Sequence, residues 1–284
     1  MVELECRKNY YIGGIMKYKM FVTDVDDTLL NDNHEITKAN KEAIMELQKQ
    51  GVTFVLASGR PTEAMMKIAK ELELDKYNGY VAGYNGGEIL DMKTNKVLSR
   101  ESLTREELLE IYEETKDIDL KFITYNNNNI LGRENDKYVN EEVIITGFNF
   151  IQFNDLKDVE FEEVIKCMLV GDPKIVTETK NILEPKYKGK FYVTISKPIF
   201  LEITNKNISK GNAVKKLVEK LGIGLEEVAA IGDSFNDVSM LEVAGFSCAV
   251  GNANSEIKKI VDFVSSSNND SGLANFIKEM KKDI

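Results

Sequence analysis

Short apolar runs alternate with helix-length segments over much of this sequence, and that alternation restricts the possible folds more than any other feature. Residues 20–25, 52–57 and 79–82 are predicted to be buried strands, each followed by a polar or helical segment. Three strand–helix units in succession favour a parallel sheet covered by helices. The same pattern returns after Asn205, where strands are predicted at 228–231 and 246–250.

The middle of the chain follows a different pattern. Hairpins are predicted at 87–100 and 121–132, and charged helices lie among them, as in an α+β domain. We therefore predict an α/β fold: a doubly wound parallel-sheet core with an inserted α+β cap domain. The predicted divisions are an N-terminal extension over 1–18, a core over 19–84 and 206–284, and the inserted domain over 85–205.

Composition excludes several classes of function. The 284 residues carry a net charge of −10, a poor match for a nucleic-acid backbone or an anionic membrane. His34 is the single histidine, which argues against a histidine-rich zinc site or a Ser-His-Asp triad. The first 20 residues contain no apolar signal-peptide segment, so we expect a cytoplasmic protein, and a monomer is the default expectation.

An acidic segment follows the first predicted strand. Asp24 and Asp26 lie two positions apart, so their side chains share one face while the strand continues. Two carboxylates on one face repel each other unless a cation or a proton separates them. Carboxyl ends of strands are also where open α/β sheets bind ligands. A solvated turn is the alternative reading of such a segment taken alone.

Two further segments suggest anion binding. Ser58 and Gly59 follow the second predicted strand, where a hydroxyl and accessible backbone amides suit a phosphate, although a simple helix cap is the alternative. Arg60 either reaches a substrate anion or pairs with a surface acid. Lys210 begins a predicted helix, where the helix dipole disfavours a cation, so it indicates a bound phosphate or is merely a surface lysine.

A second acidic segment follows the predicted strand at 228–231. Asp233 and Asp237 are four residues apart, and Asn236 precedes the second of them. These side chains supply hard oxygen ligands of the kind that Mg²⁺ takes, with positions left for water and phosphate.

The four segments, in this order, resemble the four motifs of phosphatases of the haloacid dehalogenase superfamily. DVDDTLL resembles the first motif, ASGR the second, SKG the third and GDSFND the fourth. The sequence is most similar to the Cof-type branch, in which a large cap is inserted between the second and third motifs, and the resemblance extends from Lys19 to the C-terminus. It implies a Rossmann-like core. Two departures are Asp27, where glycine is common, and Ser58, where threonine is common.

The resemblance also implies a role for each residue. Asp24 would attack phosphorus and form an aspartyl-phosphate, and Asp26 would act as general acid and then as general base. The presence of Asp26 argues against dehalogenation and for phosphoryl transfer. The phosphate would be bound by Ser58, Gly59, Lys210 and Asn236, and Mg²⁺ by Asp24, the Asp26 carbonyl, Asp233 and, through water, Asp237. Supporting roles would fall to Thr28, which would position Asp26, and to Arg60 and Asn85.

The expected activity is therefore Mg²⁺-dependent hydrolysis of a small phosphomonoester, such as a sugar phosphate, pyridoxal phosphate or flavin mononucleotide. A phosphomutase with the same motifs is an alternative. A phosphoacceptor signalling module is a further one, although such modules need no insertion of this length. The expected partner is the small-molecule substrate, without nucleic acid or membrane.

Overall fold

The computed structural model describes residues 17–126, 128–161 and 163–283. In chain order, its strands are β1 Met20–Thr23, β2 Thr53–Ala57, β3 Tyr80–Gly83, β4 Glu88–Asp91, β5 Lys96–Arg100, β6 Leu103–Thr104, β7 Lys121–Asn126, β8 Asn129–Gly132, β9 Asn149–Gln152, β10 Glu163–Val164, β11 Lys166–Val170, β12 Phe191–Lys197, β13 Phe200–Asn205, β14 Val228–Gly232, β15 Phe246–Ala249 and β16 Phe263–Val264. The α-helices are α1 Lys38–Lys49, α2 Met66–Glu71, α3 Arg105–Thr115, α4 Lys137–Thr146, α5 Pro173–Lys186, α6 Lys210–Leu221, α7 Val238–Val243 and α8 Gly272–Met280. None of the helices described has the length and apolarity needed to cross a membrane.

The larger sheet has the strand order β16-β15-β14-β1-β2-β3-β4-β5. Its strands from β16 to β3 are parallel, and β4 and β5 are added antiparallel at one edge. Every residue of β1 and β14 is buried, as expected for central strands covered by helices. Helix α1 packs against α8, and α6 packs against α7. This arrangement confirms the predicted α/β class with a Rossmann-like parallel core.

The segment between residues 101 and 205 forms a second, six-stranded sheet with the order β12-β13-β11-β7-β8-β9. Adjacent strands in this sheet are antiparallel, except that β8 and β9 are parallel to each other. Two apolar clusters separate from the main core pack around this sheet, one around Leu169 and Leu201 and the other around Ile123 and Met168. We call residues 101–205 the inserted segment.

Two of the predicted boundaries need correction. The hairpin of β4 and β5 was expected in the inserted domain, but β4 is hydrogen-bonded to β3 and extends the larger sheet. The insertion therefore begins after Arg100. The sequence could not place this boundary, because a hairpin with alternating apolar and polar residues suits the edge of either sheet. The second boundary is that of the predicted extension over 1–18, of which positions 1–16 lie outside the described residues. Tyr18 is buried, and its ring stacks on that of Phe246 with the ring centroids 5.7 Å apart. Tyr18 thus belongs to the core.

Candidate active site

The site is built where the strand order of the larger sheet changes direction. Strand β1 lies between β14 and β2, and all three are parallel. Asp24 directly follows β1, Ser58 follows β2 and Asp233 follows β14. The carboxyl ends of the three strands therefore meet at one edge, at the topological switch point where open α/β sheets form their ligand crevice.

Three carboxylates come together at this edge. Ligand oxygens of Asp24, Asp233 and Asp237 lie within 4.8 Å of one another. Burial raises the pKa of Asp24 well above its ordinary value, and burial together with the charge of Asp237 raises the pKa of Asp233 to about 7. Carboxylates crowded in this way are stabilised as anions by a nearby cation.

Lys210 supplies one fixed positive charge within this cluster. It is the first residue of α6 and is fully buried, and its Nζ donates hydrogen bonds to Asp24 Oδ1 and, at 2.6 Å, to Asp237 Oδ1. Burial alone lowers the pKa of Lys210, but the charges of Asp237 and Asp24 outweigh it and raise the pKa above its ordinary value. Ser209 fixes the start of the helix by accepting a hydrogen bond from the Asn212 amide at 3.1 Å. Lys210 is therefore part of the acid cluster and not a surface lysine.

Asp237 and Thr28 hold the cluster in place. The second carboxylate oxygen of Asp237 accepts hydrogen bonds from the amides of Asp233, at 2.9 Å, and Ser234, at 3.0 Å. The Thr28 hydroxyl donates to Asp233 Oδ1 at 2.8 Å, which corrects the expectation that Thr28 positions Asp26. The chain turns at Asp27, whose φ of 56° is in the left-handed region where glycine is favoured, and the turn directs Thr28 toward β14.

Asp26 forms a bidentate ion pair with Arg60. Arg60 Nε donates to one carboxylate oxygen at 2.8 Å and Nη2 to the other at 2.5 Å. Burial alone raises the pKa of Asp26, but the hydrogen bonds and charge of Arg60 outweigh it, so the pKa lies below its ordinary value. The Ser58 hydroxyl, itself buried, accepts a hydrogen bond from the Arg60 amide at 3.1 Å. Of the two expectations for Arg60, pairing with an acid is the one observed, and the acid is the candidate general acid itself.

Asn236, which follows β14, and Asn85, which follows β3, connect two further segments at this edge of the sheet. Asn236 Nδ2 donates to Asn85 Oδ1 at 3.0 Å, and Asn236 lines the same cavity as Asp24 and Ser58. Asn85 is buried, has a φ of 58° and donates through Nδ2 to Glu202 Oε2 of the inserted segment at 2.9 Å.

A cavity of about 310 Å³ joins this edge of the larger sheet to the inserted segment. The inserted segment contributes Glu142, Ile145, Lys166, Ser196, Lys197, Pro198, Phe200 and Glu202 to its wall. Sequence reasoning missed all of these residues. A usable signal existed for two of them, because Lys166 and Glu202 are charged residues in two mostly apolar strands.

Comparison with known proteins agrees with this geometry. A family model described as haloacid dehalogenase-like hydrolase matches residues 21–277. The chain is 32% identical over 266 residues to the Bacillus subtilis protein named "Putative phosphatase YxeH", with 93% of this chain and 98% of that protein covered. It is 28% identical over 261 residues to the 5-amino-6-(5-phospho-D-ribitylamino)uracil phosphatase YcsE of Bacillus subtilis, covering 92% of this chain and 94% of that protein.

A crystal structure of a haloacid dehalogenase-like hydrolase from Bacteroides thetaiotaomicron is similar over 93% of this chain and 99% of that chain, with a TM-score of 0.84 and 35% identity. The family match, the phosphatase relatives and this structure all span the carboxylate cluster and the inserted segment. This chain therefore belongs to the haloacid dehalogenase-like hydrolase family and is a phosphatase.

Proposed function

We propose that this protein hydrolyses small phosphomonoesters in a Mg²⁺-dependent reaction that passes through an aspartyl-phosphate on Asp24. The placement of Asp24 carries the proposal. Its carboxylate lies at the switch point of the sheet, against the buried ammonium of Lys210, and it lines the cavity that the inserted segment closes. A carboxylate held by a fixed cation at the wall of a cavity of about 310 Å³ is suited to attack the phosphorus of a small substrate in line.

The donor set fits Mg²⁺, which prefers carboxylate and carbonyl oxygens. Both oxygens of Asp237 are already occupied by Lys210 and by backbone amides, so Asp237 supports the site from behind. Within the described residues, Lys210 bonds one oxygen of Asp24 and Thr28 bonds one oxygen of Asp233, which leaves the other oxygen of each for the ion. The Asp26 carbonyl would complete the protein ligands. When bound, Mg²⁺ would supply the positive charge that allows an anionic nucleophile to approach a phosphate dianion.

Asp26 is the residue we assign to proton transfer. It would protonate the leaving alkoxide and then take a proton from the water that hydrolyses the aspartyl-phosphate. The ion pair with Arg60 favours the ionised carboxylate, which is the form needed in the second of these steps. Ser58, Gly59 and Lys210 would bind the phosphate oxygens through a hydroxyl, backbone amides and an ammonium.

The wall of the inserted segment supports a polyhydroxylated substrate. Glu142 is buried, and the Tyr125 hydroxyl donates to one of its carboxylate oxygens at 2.5 Å. Lys197 lines the same wall and makes no ion pair within the described part of the chain. A carboxylate that accepts and an ammonium that donates suit hydroxyl groups of a small substrate body. YcsE is named for a substrate with a phosphorylated ribityl chain, which is of this chemical class.

The test is release of inorganic phosphate from a hexitol phosphate and from para-nitrophenyl phosphate. We expect turnover with Mg²⁺, none in EDTA, and recovery when Mg²⁺ is added back. Asp24→Asn should abolish turnover, whereas Asp75→Asn, at an exposed aspartate outside the cavity, should not change it. Turnover that survives EDTA or Asp24→Asn would refute the proposal. Turnover only with a bisphosphate activator would indicate a phosphomutase, and stable phosphorylation without release would indicate a signalling module.

A further inference from the structure

A buried ion pair of the inserted segment is directed at the larger sheet. Lys166 lies on β11 and Glu202 on the neighbouring strand β13, and Lys166 Nζ is 3.0 Å from Glu202 Oε1. Their side chains are only 2% and 3% exposed. We call these two residues the bridging pair.

Each member of the bridging pair makes a hydrogen bond across to the core. Lys166 Nζ donates to the Gly59 carbonyl at 3.0 Å, and Glu202 Oε2 accepts from Asn85 Nδ2 at 2.9 Å. Ser196, also on the inserted segment, donates to Glu202 Oε1 at 2.8 Å. The pair therefore connects the inserted segment to the phosphate-binding segment that follows β2.

The bond to Gly59 fixes a peptide group that the proposed phosphate site needs. The Gly59 carbonyl and the Arg60 amide belong to the same planar, trans peptide unit, so the two groups point in opposite directions. Lys166 holds the carbonyl, and on the other side the amide donates to Ser58 Oγ at 3.1 Å. Anchoring one end of this unit thus orients the Ser58 hydroxyl at the other.

The bond to Asn85 extends the same effect to two other segments. The Asn85 amide N–H donates to the Ser58 carbonyl at 2.7 Å, and its side chain accepts from Asn236 at 3.0 Å. A Cβ atom on Gly59 would lie 3.4 Å from Asn85 Nδ2, so Asn85 packs directly on the phosphate-binding segment. The network therefore reaches the loop after β14 as well as the segment after β2.

Stability alone is a weak explanation for this arrangement. Removing two charges from water carries a desolvation penalty, and apolar replacements of buried ion pairs are often equally stable. Besides the bond from Ser196 of its own sheet, the pair makes side-chain hydrogen bonds to Gly59 and Asn85, which belong to site segments of the core.

We propose that Lys166 and Glu202 are positioning residues, which align the Ser58-Gly59-Arg60 segment for phosphate binding when the inserted segment lies against the core. This inference rests on the proposed phosphatase function. It makes phosphate affinity depend on contact with the inserted segment, so that assembly of the phosphate site and covering of the site occur together.

The experiment compares Lys166→Met, Glu202→Gln and the double variant K166M/E202Q. A single change leaves one buried charge without its partner, so we expect each single variant to lose stability in urea unfolding. The double variant removes both charges with little change in volume, and its stability should recover. Its kcat/KM for para-nitrophenyl phosphate and its affinity for orthovanadate should stay at least about tenfold below wild type, because the Gly59 carbonyl has lost its donor.

The matched control is the double variant K190M/E110Q, which removes an exposed ion pair of the same inserted segment. It should change neither stability nor kcat/KM. A K166M/E202Q protein that regains both stability and wild-type orthovanadate affinity would show a purely structural role and overturn the inference. If that variant does not fold, the test uses Asn85→Gly. This change keeps the left-handed backbone and removes both side-chain hydrogen bonds of Asn85. Unchanged orthovanadate affinity in Asn85→Gly would overturn the inference. Absence of turnover and of orthovanadate binding in the wild type would refute the proposed function itself.

Discussion

Asp26 and Arg60 show how one contact sets the protonation of a candidate acid. The bidentate pair favours the carboxylate, and the acid role requires the carboxylic acid. We expect Asp26→Ala to lower kcat/KM for an alkyl phosphate by about 10²–10⁴-fold, the range typical of a lost general acid. The loss of kcat/KM for para-nitrophenyl phosphate should be much smaller, because kcat/KM reports formation of the aspartyl-phosphate and an aryl oxide leaves in that step without protonation. Steady-state kinetics on both substrates provide the measurement, and equal losses would contradict the role of Asp26 as acid.

Glu142 gives a second prediction at this scale, through the pH dependence of stability. Burial raises the pKa of Glu142, although the charge of Lys166 and the Tyr125 hydrogen bond oppose the shift. The folded protein therefore binds this proton more tightly than the unfolded chain, and stability falls as the pH rises from the ordinary pKa through the raised one. Glu142→Gln removes that titration.

The stability of Glu142→Gln relative to wild type should accordingly increase between about pH 4 and about pH 8. Urea unfolding at the two pH values checks it, with Glu178→Gln, at an exposed glutamate of α5, as the control. A difference between Glu142→Gln and wild type that does not change with pH would show that the carboxyl is not the titrating group.

The sequence predicts the positions of the main site residues, but it does not predict which side chains they contact. Asp24, Asp233 and Lys210 could be located because each directly follows or begins a predicted element, and the ends of parallel strands meet at one edge. The partners of individual side chains could not be located in this way. Thr28, for example, bonds to Asp233 and does not support Asp26. The sequence could not indicate this partner, because Asp233 is 205 positions away along the chain.

At the scale of elements, the close packing of helix α6 against α7 gives a testable prediction. Gly211 follows Lys210, and a Cβ atom there would lie only 2.3 Å from the Ser239 carbonyl at the start of α7. In a free helix, glycine to alanine would stabilise by about 1 kcal/mol. Here the overlap with backbone should dominate, and we expect Gly211→Ala to destabilise the protein by about 1–3 kcal/mol.

The same change should also lower kcat/KM, because moving α6 away from α7 displaces Lys210 from the carboxylates. Urea unfolding and phosphate release measure the two effects, and Lys215→Ala, at an exposed position of the same helix, is the control. An increase in stability would mean that α6 and α7 can separate without cost, and the close packing inferred here would be wrong.

Elements of the core follow from the sequence better than those of the inserted segment. The central strands are continuous apolar runs bounded by acids and glycines, a pattern that favours buried parallel strands. Helix α4 and strand β9 were not predicted. The α4 segment has an Asp136 cap, whose carboxylate accepts from the Tyr138 and Val139 amides at 2.9 Å, but its apolar residues are spread around the helix and give little periodicity. The edge hairpin of β4 and β5 shows that strand pattern alone does not specify which sheet a strand joins.

At the scale of the whole molecule, one catalytic constellation is assembled from both ends of the chain and covered by its middle. The two connections to the inserted segment run side by side, since Asn205 Nδ2 donates to the Ser102 carbonyl at 3.2 Å. Glu142, Lys166, Lys197 and Glu202 reach the cavity only through this arrangement, and no local sequence pattern places Glu142 or Lys197 at the site.

The central claim is that the Asp24 carboxylate captures phosphorus, and chemical trapping tests it most directly. The Asp26→Ala protein, in which hydrolysis of the intermediate should be slowed, is mixed with Mg²⁺ and para-nitrophenyl phosphate and then treated with borohydride, which reduces an acyl phosphate to an alcohol. Peptide mass spectrometry should find homoserine at position 24, and none when substrate is omitted. Trapping at another aspartate, or none at all from a sample that releases nitrophenol, would contradict the account.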